Sequence, residues 1–171
     1  MTKNFSTQLA RQIGESLVVA ELGKRRILAT PFAGNVPDID ILAYGSQRGR
    51  SLALQVKTMR RGSISVNVEN YLDMEFEGEQ QIIKGKKSHL NDLIFVAIWL
   101  ADESKPDNRY YICTKKDITD IVETTHRNFL DGHGGIRPRN PKSLHSGIRE
   151  TKLEKYRDNW DLIRSKLGEP S

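Results

Sequence analysis

The chain of 171 residues predicts an α/β fold, a central mixed β-sheet flanked by helices, within a single domain spanning residues 1–171. Three observations predict it. Residues 6–26 carry apolar side chains at helical spacing. Residues 39–44 and 51–57 are β-rich runs joined by a polar, glycine-containing loop, which is the pattern of an antiparallel hairpin. Residues 93–100 are continuously apolar, as expected of a strand covered on both faces. Such elements bury a sheet between helical layers. With 37% hydrophobic and 29% charged residues, the chain has apolar mass for one core and is not a disordered polymer.

Each element has its own reason. In the opening helix Ser6 is a plausible N-cap, Leu9, Ile13, Leu17 and Ala20 line one face, no proline interrupts, and Gly23 lies near the end. A strand is expected over 26–32, stopped by the turn cluster at 33–37. If Tyr44 faces Ser51 in the hairpin, Asp40 lies opposite Gln55 and Asp38 opposite Lys57. Alternation then puts Ile39, Ile41, Ala43, Leu52, Leu54 and Val56 on one face, and Asp38, Asp40, Gln55 and Lys57 on the other. Residues 63–76 read as strand and loop, 78–91 as a short helix carrying Lys84, Lys86 and Lys87, and 109–113 as a further strand. Residues 116–130 form a helix, 131–146 a loop rich in Gly, Pro and basic residues, and 152–167 a last helix with Leu153, Tyr156, Trp160 and Ile163 on one face. Trp99, Trp160 and Cys113 are expected in the core, with Tyr110 and Tyr111 on opposite sides of their strand.

Composition narrows the function classes. Lys plus Arg is 27 and Asp plus Glu is 22, so the net charge is +5, which favours an acidic partner such as nucleic acid. The apolar runs are too short to cross a bilayer, and the first twelve residues lack the apolar segment of a signal peptide, so a cytoplasmic protein with no membrane partner is expected. A lone cysteine excludes a disulfide framework and a cysteine-based zinc site. His126, His133 and His145 lack the spacing of a tetrahedral zinc site.

The polar face of the hairpin carries the chemistry. Asp40 is an anionic oxygen donor, Gln55 offers a carbonyl oxygen beside it, and Lys57 shares that face two residues on. Hard cations such as Mg²⁺ are held by one or two carboxylates together with water and substrate phosphate. Such an ion activates water, and an ammonium stabilises the charge that develops on phosphate. Glu15 shares its helix face with Val18, Val19 and Leu22, so it faces the sheet or its edge, whereas Glu21 has Lys24 and Arg25 as surface partners.

Gly14-Glu15 in an opening helix, then Pro37-Asp38-Ile39-Asp40-Ile41-Leu42, then Leu54-Gln55-Val56-Lys57, resemble the motifs of the PD-(D/E)XK nuclease superfamily. The likeness is to its Q-x-K members among homing endonucleases and to its resolvase-like branches. It covers residues 6 to about 57 by motif and the remainder by element order. It implies a restriction-endonuclease-like core and a Mg²⁺-dependent DNA endonuclease, with Mn²⁺ as a substitute ion, cutting duplex or branched DNA to leave a 5′-phosphate. It also implies that Glu15, Asp40, Gln55 and the Val56 carbonyl hold metal, while Lys57 assists the attacking water. Gln in place of the commoner Glu removes one negative charge, and Asp38 competes with Asp40 for the acid's role. Asp40 is favoured because it lies inside the apolar strand.

Arg48, Arg50, Arg60 and Arg61 around the hairpin, Lys84, Lys86 and Lys87 with His89, and Arg137 and Arg139 in the long loop are candidate phosphate contacts. Cutting both strands of a duplex calls for two active sites, so a homodimer is expected. The competing readings are a catalytically silent nucleic-acid-binding or interaction module on the same fold, and a nuclease aimed at RNA or a repair intermediate instead of duplex DNA.

Overall fold

The computed structural model describes residues 3–33, 36–88 and 92–169. Helix α1 (Lys3–Lys24) leads into an antiparallel meander of β1 (Leu28–Pro31), β2 (Ile41–Gly45) and β3 (Arg50–Met59). The chain then leaves the sheet through β4 (Ser63–Asn67), β5 (Leu72–Glu77) and β6 (Gln80–Lys86). It returns as β7 (Ile94–Trp99), parallel to β3, and reverses into β8 (Arg109–Thr114). Helix α2 (Lys115–Asp131), strand β9 (His145–Arg149) and helix α3 (Asp161–Leu167) complete it. The five-stranded mixed sheet has the order β1-β2-β3-β7-β8, and β4 with β9 and β5 with β6 form two small antiparallel pairs. The α/β class read from the sequence is the class found.

Two apolar layers sandwich the sheet. One joins Val18 and Leu22 of α1 to Ile41, Leu54, Val56, Ile94 and Ile112, and closes with Trp160 and Ile163. The other joins Phe95, Trp99 and Tyr111 to Ile118 and Val122 of α2 and to Ile64 and Ile148 of the β4–β9 pair. Every residue of β7 is buried, as a strand covered on both sides requires. Tyr110 enters the first layer and Tyr111 the second, and Cys113 is buried, with its thiol's pKa raised by burial.

Several expectations fail, each for a local reason. Helix α1 already begins at Lys3, so Ser6 lies inside it and is not its N-cap. Residues 78–88 are not helical. Glu77 pairs with Gln80 across Gly78, which has a φ of 64°, so a two-residue turn makes a hairpin and puts Lys84 and Lys86 on β6. The rest of that predicted helix, residues 89–91 with His89, lies outside the described residues. The last helix is broken. Asp158 has a φ of 50° and Arg157 bridges to Tyr111, so Leu153 and Tyr156 fill the α2 layer while Trp160 and Ile163 fill the α1 layer. One straight helix cannot serve both faces of a sheet. The long loop ends sooner than expected, because His145 and Ser146 pair with Asn67 and Val66 in the β4–β9 ladder.

Candidate metal centre

The site begins with a close approach. Gly14 lies against β3 at Thr58, where a Cβ would stand 1.8 Å from Thr58 Oγ1. Only glycine lets α1 sit this deep, and the next residue, Glu15, is thereby held against the sheet with its side chain 19% exposed.

The hairpin register is the predicted one, from Tyr44 opposite Ser51 to Ile41 opposite Leu54, and there the ladder stops. Asp38 does not come opposite Lys57. It adopts a φ of 67°, a left-handed conformation that Asp tolerates better than most residues, and the chain peels away from β3. The departure leaves the Val56 amide without a strand partner on that side, and Asp40 supplies one: its Oδ2 accepts from Val56 N at 2.7 Å. The backbone of Asp40 meanwhile donates to Leu54 O and accepts from Phe32 N, so this 8%-exposed residue is fixed at the mouth between β2 and β3.

A network spreads from that point. Arg11, one turn before Glu15, donates through Nε to Glu15 Oε1 and through Nη2 to Asp40 Oδ1, each at 2.7 Å. The two carboxylates hold its pKa above the ordinary guanidinium value. On the opposite side Gln55, buried in β3, donates through Nε2 to Asp38 Oδ1 at 2.5 Å. Asp38 Oδ2 lies 3.5 Å from Nζ of Lys115, the first residue of α2. The Lys115 ammonium also sits 4.2 Å from the centre of the Tyr71 ring. Burial pushes the Lys115 pKa below the ordinary lysine value; Asp38 opposes that shift and the charge of Lys57 adds to it. Lys57 lies two residues beyond Gln55 on β3 and so shares its strand face.

The structure therefore links Glu15 and Asp40 through Arg11, with Asp40 held on the Val56 amide, and separately links Gln55, Asp38 and Lys115, with Lys57 on the strand face of Gln55. Arg11 is partly legible in the sequence as an i,i+4 partner of Glu15, but its reach to Asp40 is not. Lys115 follows Thr114, whose side chain caps α2 in a reciprocal box with Asp117. Thr-x-x-Asp is a readable helix start, and a buried cation in the first turn opposes the helix dipole.

The donor chemistry suits a hard divalent ion. Among the described residues the carbonyl oxygen of Gln55 is buried without a hydrogen-bond partner, while the amide nitrogen of the same side chain is spent on Asp38. Among the described residues no three His, Cys, Asp or Glu side chains group around one point.

The candidate phosphate contacts are spread more widely. Arg50 lies opposite Gly45 at the far end of the hairpin, five residues from Gln55, about 17 Å along a strand. The stem of Arg48 lies against Gly168 there. Arg60 and Arg61 are at the near end and line a cleft of about 600 Å³ with Ser6, Thr7 and Thr58. A second hollow of about 450 Å³ begins at Lys115 and is lined by Lys86, Lys87, Lys116 and Lys166. Lys86 is paired with Asp120 and Glu123, and Lys84 with Glu75. Arg137 stacks over Phe129 and donates to His145 O, and Arg139 follows it with a φ of 68°.

No family model and no curated protein matches this chain. A solved structure does, that of the bacterial homing endonuclease I-Ssp6803I, with a TM-score of 0.51 over 95% of this chain and 96% of that one at 15% identity. The two chains share a fold. At that identity the likeness extends to the path of the backbone and leaves the chemistry to be argued from the site itself. Among the described residues no helix is long and apolar enough to span a membrane.

Proposed function

We propose that this chain is a Mg²⁺-dependent endonuclease that hydrolyses phosphodiester bonds in duplex or branched DNA, built on the PD-(D/E)XK plan with Gln as the third-motif donor. One observation supports the reading: where β2 parts from β3, Asp40 is held on the Val56 amide and tied through Arg11 to Glu15, and Asp38 is hydrogen-bonded to Gln55, whose carbonyl is left without a partner among the described residues, with Lys57 on the same strand face as Gln55. The fold shared with a homing endonuclease supports it.

Asp40, Glu15, Gln55 and the Val56 carbonyl would hold Mg²⁺, which supplies Lewis acidity toward water and phosphate. Asp40 is pinned by the Val56 amide, so its free lone pairs are oriented before anything binds. Lys57 orients the attacking water and stabilises charge developing on the phosphoryl oxygens. Lys115 keeps Asp38 in place and adds a buried positive charge to that of half-buried Lys57. Arg60, Arg61 and the hollow containing Lys86 and Lys87 flank the centre as backbone contacts. Two such sites, in a homodimer, serve the two strands of a duplex.

The test is cleavage of supercoiled plasmid and of a four-way DNA junction in Mg²⁺ or Mn²⁺. Both cuts should cease in EDTA, and Asp40→Asn or Lys57→Ala should lower the rate about 1000-fold with DNA binding kept within about threefold. Full activity in either variant defeats the assignment. A silent nucleic-acid-binding module on the same fold is favoured by one feature, the Arg11 guanidinium that already engages both Glu15 and Asp40. That reading is selected if DNA binds and no divalent ion does.

A further inference from the structure

We infer that Arg11 is a resident cation that a divalent ion must displace from between Glu15 and Asp40, so that metal binding and this double ion pair exclude each other. The inference rests on the proposed metal centre and concerns how that centre is controlled.

Three facts carry it. The guanidinium engages both carboxylates at once, Glu15 through Nε and Asp40 through Nη2, at 2.7 Å each. The oxygens it engages belong to the two acids of the cluster that approach each other from different elements, α1 and the mouth of β2. Its side chain is 66% exposed, so the group can leave without opening the core, whereas the acids, 19% and 9% exposed, cannot follow it.

The charges agree. Glu15, Asp38 and Asp40 give −3, and Arg11, Lys57 and Lys115 give +3, so the cluster as it stands is neutral. A divalent ion added to a neutral cluster meets no net attraction. With Arg11 swung away, the remaining −3 and +2 leave −1; a divalent ion makes this +1, and one phosphodiester charge restores neutrality. Lys57 and Lys115 are not equivalent exits. Lys115 is 6% exposed under Tyr71 and Lys57 is half-buried on β3, whereas Arg11 stands on an exposed arm at the surface. The displaced guanidinium stays tethered one helical turn from Glu15, within reach of a phosphate beside the scissile bond, where a planar fork binds two oxygens.

The experiment is calorimetric titration of Mn²⁺ into the full chain without DNA, for wild type, Arg11→Met and Asp40→Asn. Arg11→Met keeps an apolar stem on an exposed helix face and should melt with the wild type. It is expected to bind Mn²⁺ about tenfold more tightly than wild type, and Asp40→Asn to bind none. The second measurement is the Nε–H resonance of Arg11 in ¹⁵N-labelled protein, identified by its loss in Arg11→Lys and titrated with Mg²⁺. It should move with the same midpoint as the metal isotherm. Equal Mn²⁺ affinity in wild type and Arg11→Met, or an Nε–H signal unmoved at saturating Mg²⁺, overturns the displacement while leaving the metal centre standing. Absence of binding in all three proteins overturns the metal centre and the displacement together.

Discussion

The two ends of helix α2 each hold a buried polar cluster, and they are built on opposite principles. At its start Lys115, a buried cation, faces a carboxylate at 3.5 Å and an aromatic ring, beside the unpartnered Gln55 carbonyl. Near its end His126, fully buried, meets Gln81 Oε1 at 3.0 Å, and Gln81 spends its amide on the carbonyls of Pro141 and Ser143. That geometry makes His126 Nε2 the donor. The second cluster is neutral and ties the β5–β6 hairpin to the 132–144 loop. The first concentrates charge where water is scarce. Both clusters leave one buried acceptor without a partner among the described residues, Gln55 Oε1 in the first and His126 Nδ1 in the second, so what separates them is the opposed charge, which the proposed function assigns to a ligand.

Substitutions can break this contrast, and the largest effect is expected at Gly14. Gly14→Ala drives a methyl onto Thr58, so α1 must lift, and a loss of about 3 kcal/mol is expected by thermal unfolding. Thr58→Ala should restore part of it, which a double-mutant cycle measures. Unaltered melting would show that Glu15 does not depend on this seat.

The neutral cluster should respond to pH. Burial lowers the His126 pKa to about 4 from its ordinary 6.5. Between those values the unfolded chain binds a proton that the folded chain refuses, so stability falls as pH drops from about 6.5 and levels off below about 4. A fall of about 5 °C in melting temperature across that window is expected, and His126→Phe should flatten it. Cleavage measured at neutral pH should be nearly unchanged in that variant.

The smallest expected change separates the clusters most sharply. Lys115→Met fills the same space without charge, so the fold should melt within about 3 °C of wild type, while cleavage falls about tenfold. A variant that loses stability but keeps its rate would move Lys115 to the structural side of the comparison.

The sequence by itself determined much of what is local. Alternation and a glycine-containing loop set the β2–β3 register, and four-residue spacing set α1, because side-chain period and turn chemistry are properties of neighbouring residues. The Gly14-Glu15 pair and the Gln55-x-Lys57 run were readable as a motif for the same reason. The lysine run at 84–87 was misread as helical because only the turn at Gly78 and the partner strand β5 make it a strand. The last segment was misread because its apolar spacing is helical, yet its residues serve two cores on opposite sides of a sheet. Only the tertiary structure brought Arg11 and Lys115 to the carboxylates and turned Asp38 aside. Those placements depend on how deeply a helix settles on a sheet and where a ladder ends, and chain-distant packing decides both.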